Sequence, residues 1–374
     1  MKKSSSIDYL IISSAYPYRG GISDSTHSLV NQMSNQNISS EVWTFKLLYP
    51  KFFFPGKTQY SQEVLKSNFK IVRQINTLNP INWILSARKI NKISPKKVIF
   101  RYWTPLLSLS YFTISRLLNN RTKVIGLVDN WTGHEKILFE GVFRRLFIKS
   151  CDSFISFSKN VGKKLKNSTN KEVLPLFHPI NDDLPNKISK DEALSNLDLP
   201  SKKYILFIGL IRKYKGVESL IKAFHYASKE HENLRLIIAG EFYDDINIYK
   251  RLIKRKDLED KVIIDNDFLK SSKIRDYICI SDLIIQPYKK ASQSGITPLA
   301  YYYDKPLVVS NIEGLKEIII EDQSGEIFSE TPANMAIAIK NCINPESNRT
   351  YSNNIAKSKL KYSWLRFVKK VEAF

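Results

Sequence analysis

Three cysteines are all that this chain of 374 residues contains, and Cys151, Cys279 and Cys342 stand far apart without CxxC spacing. That scatter excludes a disulfide framework and a thiolate zinc site. No apolar run is long enough to span a bilayer. The opening Met1-Lys2-Lys3-Ser4-Ser5-Ser6 leads into a short run, Tyr9-Leu10-Ile11-Ile12, and then Tyr16-Pro17, too brief a hydrophobic stretch for a signal peptide. A cytoplasmic protein is expected. No GxGxxG occurs, which removes the dinucleotide fingerprint. Repeats and low-complexity tracts are also missing. Acidic residues are scarce in one half only. Residues 1–180 hold 9 Asp+Glu against 27 Lys+Arg, a net +18, and residues 181–374 carry +4 of the total +22. Such asymmetry points to an anionic partner for the first half: a membrane surface, a polyanion or a phosphorylated substrate. The alternative is generic solubility charge, which explains any single lysine better than it explains a half-chain surplus.

What is present is ordinary globular material, 43% hydrophobic and 25% charged, in a length that accommodates two domains. Short apolar runs alternate with helical patterns. The first half offers strands at 9–13, 42–45, 97–102, 124–128 and 153–157, with helices at 25–33, 83–91, 106–118 and 143–151 between them. The second half offers strands at 204–209, 235–240, 262–264, 283–286 and 306–309, with helices at 217–227, 247–256, 272–281, 297–303 and 332–342. This alternation predicts two doubly wound α/β domains with mainly parallel sheets. The boundary is expected near Leu176-Phe177-His178-Pro179-Ile180, before the polar stretch 181–201. A last helical pattern covers 363–374.

Open α/β sheets bind ligands beyond the carboxyl ends of their strands, so candidate residues should follow strands. The most informative stretch is Tyr204-Ile205-Leu206-Phe207-Ile208-Gly209-Leu210-Ile211-Arg212-Lys213-Tyr214-Lys215-Gly216-Val217. A strand stops at Gly209 and a helix opens past Gly216, with Arg212 and Lys215 in the turn. A guanidinium fork and an ammonium beside a helix start suit two or more phosphate oxygens. The competing reading is a βα loop with solvated basic residues. After the first strand, Arg19-Gly20-Gly21-Ile22 lets the backbone approach a phosphate or sugar closely, or is an ordinary tight turn. Asp129-Asn130-Trp131-Thr132-Gly133-His134-Glu135 places a His beside a Glu after a strand. His134 is a candidate general base or hydrogen-bond donor, or a structural histidine. No second His stands at metal-ligand spacing, so no metal is expected. Ser294-Gly295-Ile296 opens a helix with Pro298 in its first turn, leaving N–H groups for an anion. Glu313 and Glu317 suit sugar hydroxyls or helix capping, and Asp282 reads as a structural cap.

Taken in order, Gly209-x-x-Arg212-x-x-Lys215-Gly216, Ala239-Gly240-Glu241, Ser281-Asp282, Pro287-Tyr288, Ser294-Gly295-Ile296, Lys305-Pro306-Leu307-Val308-Val309 and Gly314-x-x-Glu317 resemble retaining glycosyltransferases of family 4, in the GT-B superfamily. In the first half Arg19-Gly20-Gly21-Ile22, Phe54-Pro55-Gly56-Lys57-Thr58-Gln59 and His134-Glu135 look like one bacterial branch of it. The resemblance implies a GT-B fold of two Rossmann-like domains facing across a cleft. It also implies a nucleotide-diphosphate sugar as donor substrate, with no cofactor and no metal. By the same resemblance Arg212 and Lys215 hold the diphosphate, while Ser294, Gly295 and Ile296 meet phosphates and sugar. Gly21 closes over the diphosphate, and His134 faces the transferred sugar. The family's two glutamates around the glycine turn are missing, one position falling on Ser292 and the other on Leu299 or Ala300. Glu241 or Glu317 is the candidate replacement, and Gly209 joins the donor-binding set.

The resulting expectation is a retaining, metal-independent glycosyltransferase that moves a sugar onto a glycan or lipid-linked acceptor in cell-surface polysaccharide synthesis. Its domains are expected at 1–180 (acceptor) and 181–352 (nucleotide sugar), with 353–374 packing back on the first. The location is cytoplasmic and peripheral on an anionic inner membrane face. Two rivals stand beside it. A nucleotide-sugar epimerase on the same fold needs catalytic carboxylates and histidines, and only His134 and Glu135 are conspicuous in the first half. A basic nucleic-acid-binding protein would suit +22 and 12% aromatics, yet no nucleic-acid module is recognisable, so nucleic acid is not an expected partner.

Overall fold

Strands covered on both faces need near-continuous apolar runs, and the runs at 9–12, 98–102, 204–208 and 234–239 supply them. The computed structural model describes residues 7–49, 58–61, 67–131, 139–181, 183–329 and 331–374. It divides into two compact units, Met1–Asn181 with Ser363–Phe374, and Asp182–Tyr362.

The first unit runs β1 (Tyr9–Ile12), α1 (Gly21–Asn35), β2 (Ser40–Leu47), β3 (Lys70–Asn76), α2 (Pro80–Ile93), β4 (Lys97–Tyr102), α3 (Ser108–Arg116), β5 (Lys123–Val128), α4 (Glu140–Ser150), β6 (Ser153–Ser156), α5 (Lys159–Lys166) and β7 (Val173–Pro175). Its seven strands are ordered β3-β2-β1-β4-β5-β6-β7, and every pairing is parallel. One face is filled by Trp83, Ala87, Ile90, Tyr111, Ile114 and Phe147 from α2, α3 and α4. The other is filled by Leu29, Val30 and Met33 of α1 and by the C-terminal helix.

The second unit runs α6 (Lys190–Leu197), β8 (Lys203–Ile208), α7 (Val217–Glu230), β9 (Leu234–Ala239), α8 (Ile246–Arg255), β10 (Val262–Asp265), α9 (Ser271–Ile280), β11 (Leu283–Gln286), α10 (Ile296–Tyr302), β12 (Leu307–Ser310), α11 (Glu313–Asp322), β13 (Gly325–Phe328), α12 (Pro332–Ile343) and α13 (Pro345–Ser358). Its sheet is again parallel, β10-β9-β8-β11-β12-β13. Both sheets share the doubly wound order, and each reverses direction beside its first strand, between β1 and β4 and between β8 and β11.

The last helix, α14 (Trp364–Ala373), returns to the first unit. It buries Trp364, Phe367, Val368 and Val371, the i, i+3, i+4, i+7 stripe of an amphipathic helix. Phe367 stacks on Phe157 at 5.2 Å, and Trp364 Nε1 donates to Asn181 Oδ1 at 3.2 Å. Burying such side chains contributes roughly 1.5–3 kcal/mol each, enough to hold a ten-residue helix in place. The crossing comes later than position 353. α13 continues unbroken to Ser358, and Tyr362 donates to the buried Asp322 at 2.7 Å, which keeps 353–362 with the second unit. Three strands were not expected from the sequence, β3, β7 and β13, and each lies at a sheet edge.

Candidate functional site

In the second unit the loops after β8 and β11 emerge at the reversal of strand order, where an open sheet leaves a crevice. Gly209 ends β8 at φ 126°, and Gly240 ends β9 at φ 136°. A Cβ on Gly240 would stand 2.1 Å from the Gly209 carbonyl oxygen, so only glycine lets these strand ends touch. The β8 loop is then pinned to the β9 loop, Ile211 N–H donating to Glu241 O (2.9 Å) and Tyr243 N–H to Ile211 O (2.9 Å). A short 3₁₀ turn, Lys213–Lys215, fills the gap before α7, and Gly216 closes it at φ 74°. There a Cβ would strike the Pro287 carbonyl oxygen at 1.8 Å, so Gly216 brings the β8 and β11 loops together.

The two basic residues are held by aromatic faces. The Arg212 guanidinium lies 4.8 Å from the Tyr243 ring centre, and Lys215 Nζ lies 3.7 Å from that of Tyr288. Cations seated on ring faces are oriented by the ring quadrupole. Tyr288 is buried, and Lys289 N–H donates to Tyr214 O at 2.7 Å, which fixes the platform to the turn. Next comes the Ser294-Gly295-Ile296 corner. Gly209 faces Ile296, since a Cβ on Gly209 would fall 3.7 Å from Ile296 Cδ1, while nothing lies within 4 Å of a Cβ on Gly295. The corner is braced from beneath by buried Gln286, whose Nε2 donates to Thr297 Oγ1 at 3.0 Å.

The expected open N–H groups of this helix start are partly taken. Ile296 N–H donates to Ser294 Oγ (3.2 Å) and Thr297 N–H to Ser294 O (3.3 Å). Glu241 is buried beside the β8 loop, and Glu317 is half-buried on α11. Gly314 packs the start of α11 against Ala291 and Ser292, where a Cβ would meet carbonyl oxygens at 2.3 and 2.7 Å. Glu317, three residues on, shares that side of the helix. Glu313 pairs with Lys316 at 2.7 Å. Asp282 is structural, accepting from Tyr204 N–H at 2.7 Å and pairing with Lys190 at 3.3 Å.

In the first unit the Gly20-Gly21 turn caps α1, Gly20 at φ 105°, with open space where either Cβ would stand. His134, Glu135 and Phe54-Pro55-Gly56-Lys57 lie outside the described residues. What the sequence did not disclose is the anchor of the α1 turn, Arg101 in the middle of the apolar strand β4. It is 1% exposed, and each of its five N–H groups has an acceptor. Nε and Nη2 form a fork on Asp129 (2.8 and 2.7 Å), Nη2 also reaches Ser25 Oγ (2.7 Å), and Nη1 reaches Ile22 O and Thr26 Oγ1 (both 2.9 Å). Its plane lies 4.9 Å from the Phe157 ring centre. A lone Arg inside an apolar strand was the available signal. Half-buried His178 packs on Phe157 as well, at 5.4 Å, and burial lowers its pKa. Among the described residues no group of three or more His, Cys, Asp or Glu is placed to hold a metal, and no helix is long and apolar enough to cross a membrane.

Comparison with known proteins agrees with this layout. Residues 189–359 match the family model of glycosyl transferases group 1. An uncharacterised glycosyltransferase of Methanocaldococcus jannaschii is 28% identical over 172 residues, 44% of this chain and 42% of its own length. The chain thus spans less than half of that relative. Sucrose-phosphate synthase from Thermosynechococcus elongatus superposes with a TM-score of 0.79 at 13% identity, covering 98% of each chain. Anabaena HepE crystallised with UDP-glucose gives 0.73 at 12% identity, covering 98% of this chain and 99% of its own. These neighbours have the GT-B fold, and the two parallel Rossmann-like units here are of that class.

Proposed function

We propose that the protein is a retaining, metal-independent glycosyltransferase that moves a sugar from a nucleotide-diphosphate donor to a glycan or lipid-linked acceptor in cell-surface polysaccharide synthesis. One observation carries the reading: Arg212 and Lys215, seated on Tyr243 and Tyr288 at the strand-order reversal of the second unit, beside the open Gly295. Departure of a nucleoside diphosphate builds negative charge on its phosphate oxygens. Fixed cations stabilise that charge without reorganising, which is the largest rate contribution in many enzymes. Arg212 grips two oxygens as a fork and Lys215 supplies a point charge, so the pair takes the place a divalent ion would hold. In this reading Gly209, Gly295 and Ile296 admit the donor close to backbone, and Ser294 orients the corner. Glu241 or Glu317 binds sugar or ribose hydroxyls, Gly21 closes over the diphosphate, and His134 faces the sugar. Retention follows from attack on the face the diphosphate leaves, with a departing phosphate oxygen accepting the acceptor's proton.

The +18 of residues 1–180 supports an acceptor presented at an anionic membrane on the cytoplasmic side. Incubation of the purified protein with a panel of nucleotide sugars, followed by thermal shift and donor hydrolysis, tests the reading. UDP-sugars come first, because HepE was crystallised with UDP-glucose. Stabilisation by at least one nucleotide sugar and its slow hydrolysis without added metal are expected. No response to any donor refutes the reading. Substituting His134 by Ala should lower turnover far more than thermal stability.

A further inference from the structure

We propose that the faces of α2, α3 and α4 turned away from the sheet form one docking surface for an anionic lipid bilayer. The inference deepens the membrane reading above by assigning it to a surface. Its first support is charge. From Val64 to Val128 the chain carries twelve Lys and Arg and not one Asp or Glu. Its second is the arrangement of those charges.

All three helices lie on the same side of a wholly parallel sheet, α2 against α3 and α3 against α4. Each returns the chain from the carboxyl end of a strand, so they run in one direction with their N-termini at that end. On α2 the exposed residues after Pro80 are Ile81, Ile84, Leu85, Arg88, Lys89 and Lys92, an i, i+3, i+4, i+7, i+8, i+11 stripe that is apolar first and cationic after. Leu78, just before the helix, is 62% exposed, and Ile81 is 69% exposed. A related order recurs next door. Exposed Leu106 and Leu109 at the start of α3 precede Arg116, with exposed Leu117 directly after it, and exposed Phe139 (66%) and Val142 at the start of α4 precede Arg145 and Lys149. Each of the three neighbours therefore exposes apolar side chains at its N-terminal end and at least one cation beyond them.

A bilayer laid against these faces takes the leucine and isoleucine side chains among its upper acyl chains, while the long arginine and lysine side chains reach its phosphates. Beside α2 opens a cavity of about 580 Å³ lined by Lys46, Arg88, Lys89 and Lys92 with Asn82 and Asn91, with room for a phosphorylated headgroup. Among the described residues, Lys89 is the one lining cation with a side-chain partner, and that partner is the neutral Gln74 at 3.0 Å. A soluble polyanion would use the cations alone and leave the exposed apolar side chains without purpose.

Sedimentation of the full chain with phosphatidylcholine vesicles, with and without phosphatidylglycerol, tests this without any nucleotide sugar. The native protein is expected to bind only the anionic vesicles, and to be released by high salt. The variant carrying Arg88→Gln, Lys89→Gln and Lys92→Gln should bind roughly a hundredfold more weakly. Ile81→Ser with Leu85→Ser should weaken binding at least about tenfold. A control with the same charge loss at exposed sites of the second unit, Lys222→Gln, Lys250→Gln and Lys254→Gln, should bind as the native protein does. Circular dichroism confirms that each variant is folded. If the α2 charge variant and the control bind equally, the surface is wrongly assigned. If the serine variant binds as the native protein does, the occupant is a soluble polyanion and the bilayer is rejected. Failure of the native protein to bind either vesicle rejects the surface and membrane attachment together, and leaves the donor reading to its own assay.

Discussion

The two units are built on one plan and use arginine in opposite ways. In the first, Arg101 lies inside β4 with all five donors engaged by Asp129, Ser25, Thr26 and Ile22. In the second, Arg212 lies on a loop beyond β8 with the Tyr243 ring beneath its plane. Both stand near the carboxyl ends of central strands, where a doubly wound sheet places ligands. The difference lies in where each cation sits. Arg101 is sealed inside its own unit, and it serves by holding the first turn of α1 to the ends of β4 and β5. Arg212 and Lys215 are half-buried on a loop and rest on ring faces, which orient a cation at the strand ends. Position in the sheet does not separate a structural cation from a functional one. Burial does.

The sharpest way to break this contrast is to remove Arg101. Arg101→Met leaves the Asp129 carboxylate buried and unpaired, and should destabilise the protein by about 3–5 kcal/mol in urea unfolding. Arg101→Met with Asp129→Leu should recover most of that loss. A single variant as stable as the native protein would erase the distinction. Next in size are the loop cations. Arg212→Ala and Lys215→Ala should each reduce steady-state turnover about 10²–10³-fold, with unfolding free energies within ~0.5 kcal/mol of native. Unchanged rates would return both residues to ordinary surface charge.

The glycines sharpen the comparison at smaller scale. Gly240→Ala meets both a left-handed φ and the Gly209 carbonyl at 2.1 Å, and should cost upward of ~2 kcal/mol in stability. Gly295→Ala, at φ −68° and with open space ahead, should leave stability within ~1 kcal/mol and act on donor binding instead, read as a rise in KM.

The smallest effect is a pH dependence in the first unit. Burial holds His178 below the usual imidazole range, with Arg101 lowering and Asp129 raising its pKa more weakly. As pH falls through the unfolded value of ~6.5, the unfolded chain takes up a proton that the folded one refuses. Stability from this group is complete above that value and is lost toward the lower folded one. The melting temperature should therefore fall more steeply between neutral and mildly acid pH in the native protein than in His178→Gln.

How much of this was legible beforehand follows burial. Central strands β1, β4, β8 and β11 are covered on both faces, so they read as apolar runs, and β4 and β11 were placed to the residue. The edge strands β3, β7 and β13 escaped because one side has no neighbour and tolerates polar residues, as in Lys70-Ile71-Val72-Arg73-Gln74. α13 escaped because its polar composition offers little apolar periodicity, with only Ile355 and Ser358 buried. The Gly209–Gly216 turn was legible because glycine marks a backbone that other residues cannot follow. Its aromatic platforms were not, since Tyr243 and Tyr288 come from loops some thirty positions beyond Arg212 and some seventy beyond Lys215.

Periodicity, glycine placement and charge are local properties, and from them alone the chain determined two parallel α/β units, the basic turn after the β8 strand and the cationic surplus of the first half. Tertiary structure decided which of those charges are completed inside. The acceptors of Arg101 lie 28 to 79 positions away, and no pattern in Lys97–Tyr102 announces them. It also decided that α2, α3 and α4 lie side by side with their exposed apolar starts at one end. Parallel crossovers impose one direction on the three helices, and so align features that the sequence keeps in separate segments.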